Sequence, residues 1–163
     1  MLTPELNVIS VEEETELLNA LAEAEQNSKV LNDRIGIRYG NSIYGNEKLE
    51  PIPKYLLDLC NKLIDKKILD VLPEDISINI YYPGNKMLPH IDKVDAGPVI
   101  TILSLLSDAN LILSYGAKKE IVLLPSRSVI QLKDKYRTHW KHSIEKIKDK
   151  RISIVFRQLG KNN

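Results

Sequence analysis

The hydrophobic pattern of this 163-residue chain changes period at Ile76, and that change does most to limit the folds open to it. Upstream, apolar residues recur every three or four positions. Downstream they come in short aliphatic and β-branched runs parted by turn signals, at 76–82, 88–92, 98–106, 109–115, 119–124, 127–133, 137–144 and 151–158. Eight short strands at this spacing suggest an α+β chain whose core is an antiparallel sandwich or jelly roll.

Two helices precede the strands. Ser10-Val11-Glu12-Glu13 fits a capping box, and Val11, Leu17, Leu18, Leu21 and Ala24 follow at helical spacing, so a helix is expected over about 11–25. Pro53 suits the first turn of a second helix, with Tyr55, Leu56, Leu59, Cys60, Leu63 and Ile64 as its buried stripe. Cys60 belongs to that stripe as a small apolar group. Between the helices, Ile35, Ile37 and Tyr39 alternate as one face of a strand. The turn-rich segment after it, within 38–46, reads as a surface loop or as a lid over a site. The helices are expected to cover the outer face of one sheet. A single domain over 1–163 then divides into helical support with a possible lid (1–75) and a strand core (76–158).

One cysteine permits no internal disulfide, the start Met1–Glu5 lacks the basic and apolar regions of a leader, and no apolar run reaches membrane-spanning length. These features point to a soluble intracellular protein, cytoplasmic or nuclear, with no membrane partner. The net charge is only +1, yet residues 1–30 hold seven Glu against one Lys, while residues 133–163 hold ten Lys or Arg against three acids. Such asymmetry either marks a surface for polyanions or solvates strand edges and turns.

The residues with chemistry begin at Asn79-Ile80-Tyr81-Tyr82-Pro83-Gly84 and continue to His90-Ile91-Asp92. If 88–92 is a strand, His90 and Asp92 point to one face and supply two-thirds of a 2-His-1-carboxylate triad, the set that suits non-haem Fe(II). His139 and His142 both offer the second imidazole. Being three apart on a strand, they face opposite ways, and Trp140 shares a face with His142. In the last run, Arg151, Ser153, Val155 and Arg157 share a face. Two arginines there would either meet a dicarboxylate or lie on an exposed edge. Asn79 and Tyr81 share the face opposite Ile76, Ile78 and Ile80, presenting an amide and a phenol together.

In order and spacing, Asn79-x-Tyr81-x-Pro83-Gly84, His90-x-Asp92, His142 and Arg151-x-Ser153-x-x-Phe156-Arg157 resemble the AlkB family of Fe(II)- and 2-oxoglutarate-dependent dioxygenases. The resemblance implies a double-stranded β-helix of about eight strands, with His90, Asp92 and His142 as the catalytic iron ligands. It further implies that Arg151 pairs with the distal carboxylate of 2-oxoglutarate, that Asn79 and Tyr81 support the cosubstrate, and that Arg157 lies near the metal end of the pocket. With O₂, such an enzyme, expected to act as a monomer, demethylates or hydroxylates a modified base in RNA, tRNA or alkylated DNA and releases succinate and CO₂. The chain departs from the repair members of the family at Val94, where they carry an acidic residue, and at Val155, where a Thr is expected. Ser104-Leu105-Leu106-Ser107 stands for Ser-Leu-Gly. Arg137-x-x-Trp140-Lys141-His142 and the Leu105-Leu106-Ser107 run look closest to eukaryotic homologues outside direct DNA repair. The departures leave open methylated protein lysine or a small molecule as substrate, and a non-catalytic cupin-like metal module as a further alternative.

Overall fold

The computed structural model describes residues 1–30 and 33–160. Helix α1 (Val11–Gln26) starts where expected. The Ser10 hydroxyl accepts from the Glu13 amide at 3.0 Å and the Glu13 carboxylate accepts from the Ser10 amide at 2.9 Å, closing the capping box. Such a cap contributes about 1 kcal/mol. Strand β1 (Ile35–Gly40) and helix α2 (Lys54–Asp65) follow.

Eight further strands then fold on one another: β2 (Asp75–Tyr81), β3 (Met87–His90), β4 (Ile100–Leu105), β5 (Ala109–Tyr115), β6 (Lys118–Leu124), β7 (Ser128–Leu132), β8 (Lys141–Ile144) and β9 (Arg151–Arg157). With β1 they make two antiparallel sheets, ordered β1-β2-β9-β4-β7 and β3-β8-β5-β6. Each sheet of this double-stranded β-helix has two faces with different work. On β2, β4 and β9, Ile76, Ile78, Ile80, Leu103, Leu105, Ile152, Ile154 and Phe156 pack against Leu17 and Leu21 of α1 and Leu56, Leu59, Cys60 and Leu63 of α2. The alternate residues face the second sheet, where Ile100, Ile102, Leu111, Leu113, Ile130 and Leu132 form the other core. The period-two pattern thus sorts helix-facing from cavity-facing side chains along the same strands.

Two expected strands end differently. The run at 137–144 is strand only from Lys141, because α3 (Asp134–Thr138) occupies its first part and buries Tyr136 and Arg137. Tyr136 and Trp140, four apart, bring their rings to 5.3 Å, a contact that helical spacing makes and strand alternation does not. The run at 88–92 leaves the sheet after His90, so Asp92 stands in a loop rather than on a strand face.

Candidate active site

His90 ends β3 and His142 opens β8, and the two are direct cross-strand partners with ring centroids 4.3 Å apart. Asp92 comes between them by turning back from the loop: its Oδ1 lies 3.2 Å from His90 Nε2 and 3.7 Å from His142 Nε2. One ligand atom from each of the three lies within 4.8 Å of the others. His90 Nδ1 donates to the Leu88 carbonyl at 2.9 Å, which orients the ring so that Nε2 faces Asp92 Oδ1. Burial pushes His142 down to about 4, aided by the neighbouring His90, so it is neutral at physiological pH. Burial would raise the Asp92 carboxyl, but the bonds from His90 and Arg157 outweigh it and hold the group ionised well below the usual range. The set is two imidazoles and a carboxylate with no thiolate, the donors of a non-haem Fe(II) facial triad rather than of a structural zinc site.

The triad borders a cavity of about 180 Å³, whose walls include Ser77, Asn79, Tyr81, Arg151, Ser153, Val155 and Arg157. Arg151 is only 1% exposed, because β9 is a central strand of its sheet. Its Nε donates to the Ser104 hydroxyl at 3.0 Å and its guanidinium lies over the Tyr81 ring at 5.3 Å, but Nη1 and Nη2 have no partner among the described residues. A buried guanidinium with two idle nitrogens is costly unless an anion completes it. A carboxylate satisfies both at once, in the bidentate geometry that arginine favours. The cavity is below the roughly 300–1,000 Å³ of a drug-sized pocket. It suits a small diacid.

Residues 7–157 match the 2OG-Fe(II) oxygenase superfamily. The chain belongs to that family. It is an AlkB-like member, a 2-oxoglutarate-dependent iron dioxygenase with Fe(2+) and 2-oxoglutarate as its cofactors. The chain is 33% identical to an uncharacterized protein of Acanthamoeba polyphaga mimivirus over 94% of its own length and 82% of that protein. It is 29% identical to the RNA demethylase ALKBH9B of Arabidopsis thaliana over 77% of its length, but spans only 27% of that relative. For the tRNA (carboxymethyluridine(34)-5-O)-methyltransferase alkbh8 of Xenopus tropicalis the identity is 30%, over 66% of this chain and 18% of the relative. Among solved structures, OsALKBH1 superposes with a TM-score of 0.69 at 13% identity, covering 96% of this chain and 97% of that one, a likeness of fold.

In this AlkB-like frame, the other residues expected to hold the cosubstrate are drawn into the cavity wall. Tyr81 is 1% exposed with its ring under Arg151. The Asn79 amide oxygen accepts from Arg34 Nε at 2.8 Å, a partner that sequence reading did not foresee. Arg157 donates Nε to Asp92 Oδ2 at 2.9 Å and Nη1 to Asp75 at 2.9 Å and Ser77 at 2.8 Å. In this geometry it aims the carboxylate of the triad.

Arg137 was assigned no role from the sequence. It is buried on α3 and donates to three carbonyls, Nε to Gly97 at 2.7 Å, Nη1 to Asp92 at 3.1 Å and Nη2 to Lys93 at 2.6 Å. It therefore staples the Asp92 loop to the segment that leads into His142. Asp75, fully buried between Arg157 and Arg38, also escaped notice, because Glu74-Asp75 reads as a turn before a strand. His139 lies apart from the triad, exposed and with Nδ1 2.7 Å from the Thr138 hydroxyl. Val94 is 85% exposed in a one-turn helix after the triad loop, away from the cavity wall. Over the cavity mouth, Ile43 inserts among the interior residues, while Tyr44 stays half exposed, its ring 4.6 Å from both the Arg38 guanidinium and Lys93 Nζ.

Proposed function

We propose that this chain oxidises a modified base in single-stranded nucleic acid, by demethylation or hydroxylation, with His90, Asp92 and His142 holding Fe(II) and Arg151 holding 2-oxoglutarate. The observation that carries the chemistry is the unpartnered pair of Arg151 nitrogens in the same cavity as the triad. When bound, the iron and the 2-oxo acid supply oxidation of a C–H bond by O₂, with succinate and CO₂ as coproducts; on an N-methyl group the hydroxymethyl product breaks down to formaldehyde.

The protein's part is to bind and orient. Arg151 and Tyr81 fix the far carboxylate, and Arg157 holds Asp92 in its ligating rotamer. Asn79, itself held by Arg34, lines the path between them. Tyr44 offers a half-exposed ring for a base and, in Lys93, a cation for an adjoining phosphate, while Arg38 beside it is held by Glu47 and Asp75. A base must leave its stack to reach a cavity this deep, which favours single strands. The activities printed in the names of two relatives, an RNA demethylase and a tRNA carboxymethyluridine enzyme, support nucleic acid as the substrate class.

The test is succinate release with added Fe(II) and 2-oxoglutarate over panels of methylated RNA, methylated DNA and methyl-lysine peptides. The expected result is release stimulated by an oligonucleotide. Stimulation by peptides alone would overturn the nucleic-acid assignment while leaving the iron chemistry in place.

A further inference from the structure

The metal-bearing end of the minor sheet carries a second aromatic and basic cluster that the chemistry above does not use. Tyr115 ends β5 two residues beyond Leu113, which is the cross-strand partner of His142. It therefore lies roughly 7 Å along the strand from that ligand's backbone. The Tyr115 ring is 52% exposed, yet it is held in place: it stacks on buried Trp140 at 6.1 Å and 29°, and meets the exposed His139 edge-on at 6.5 Å. Lys135 Nζ lies 5.6 Å from the Trp140 ring, and Lys118 is the cross-strand partner of Tyr115 and so shares its face.

Both lysines are exposed, and neither joins an ion pair among the described residues, whereas Lys54, Lys62 and Lys150 each have a carboxylate partner. The acids close to them in sequence are Asp134 and Glu120, and Glu120 accepts from the Tyr136 hydroxyl at 2.8 Å. A rigid exposed ring ringed by unpaired cations, beside the mouth of a deep pocket, is the arrangement that takes a stacked base and its phosphates.

We infer that Tyr115, with Lys118 and Lys135, is a docking platform for the nucleotides next to the target base, so that the single strand crosses the mouth from the Tyr44 side to the Tyr115 side. This rests on the nucleic-acid reading given above. Tyr115 would stack a neighbouring base and the lysines would meet its backbone, without a role in the oxidation.

The experiment is binding of a short fluorescein-labelled single-stranded RNA to the full chain loaded with Mn(II) and 2-oxoglutarate, followed by anisotropy over a salt series. Tyr115→Ala is expected to weaken binding by roughly tenfold while Tyr115→Phe keeps the ring and stays within about twofold of the parent. Lys118→Gln combined with Lys135→Gln is expected to lower the slope of log affinity against log salt by roughly 1.4, at about 0.7 per lost phosphate contact. Those two lysines are exposed, so the pair reports even if Tyr115→Ala fails to fold. A parent that binds RNA with variants matching it in affinity and slope would overturn the platform alone. A parent that binds no RNA or DNA at any salt would overturn the nucleic-acid reading and the platform with it. Weakened binding of peptides and unchanged binding of RNA would also overturn it.

Discussion

Arg151 and Arg157 sit on one face of one strand and have different tasks. Arg151 has two buried nitrogens without partners among the described residues, so its charge costs stability on its own and becomes favourable when a carboxylate pairs with it. Arg151→Met is therefore expected to raise the melting temperature without 2-oxoglutarate, and to abolish the rise that 2-oxoglutarate gives the parent. Differential scanning fluorimetry with and without the diacid checks both. Arg157 is already satisfied by Asp92, Asp75 and Ser77. Arg157→Gln removes the bond that aims Asp92, and should weaken Fe(II) or Mn(II) binding by about 10- to 100-fold, read by calorimetry. Cys60, with its thiol pushed up to about 12 by burial, should resist aromatic disulfide reagents at neutral pH and react at once in urea. The alternation placed both in one row and the family resemblance gave each a task, but neither showed the Ser104 and Asp75 partners, which come from other strands.

At the scale of elements, the loop between β3 and β4 carries the triad carboxylate and is held from two sides. Arg137 grips three of its carbonyls, and Gly97 passes the end of β9 so closely that a Cβ would lie 1.8 Å from the Gln158 carbonyl oxygen. Gly97 also has φ +84°, so Gly97→Ala is both strained and crowded and should cost about 2 kcal/mol or more in urea unfolding. Ile43 is the anchor of the segment over the mouth, 5% exposed among interior residues. Ile43→Ala leaves that segment without its apolar tether, at a cost of about 2–5 kcal/mol if the site does not collapse. Limited proteolysis should then cut within 41–48 before the rest of the chain. The sequence placed turn residues here and suggested a lid, while the insertion of Ile43 needed the sheets to be assembled.

Across the whole molecule, the helices pack one sheet and leave the space between the sheets for the site, so the stability of the metal-free protein should carry the mark of its histidines. His142 is depressed by burial: between its unfolded value near 6.5 and about 4, the unfolded chain binds a proton that the native chain does not, and stability falls as pH drops. His90 is raised, chiefly by its bond to Asp92, so the native chain holds the extra proton above 6.5 and stability falls as pH rises through its folded value. The metal-free protein is expected to be most stable between these two arms, near pH 6.5, in melting temperatures taken across the acid and neutral range. Saturating metal should flatten the acid side down to the pH at which protons displace it.

Local pattern settled a good deal. Period and turn chemistry placed both helices and the strand runs, because side-chain alternation and capping act over a few residues and are written in order along the chain. The facing rows of Arg151, Ser153, Val155 and Arg157, and of Ser77, Asn79 and Tyr81, followed from the same alternation. Alternation left His139 and His142 both open and the family resemblance named His142, but its place in the triad was different in kind. It required the pairing of β3 with β8, a contact between residues 52 apart, and it required α3 to end before Trp140. Asp92 joined the histidines by leaving the strand that spacing had assigned to it, and Arg137 entered only because α3 lies against that loop. Pattern reports which way a side chain faces within its own element. Which element lies opposite is decided by long-range packing, and that is where the triad and its supporting arginines were assembled.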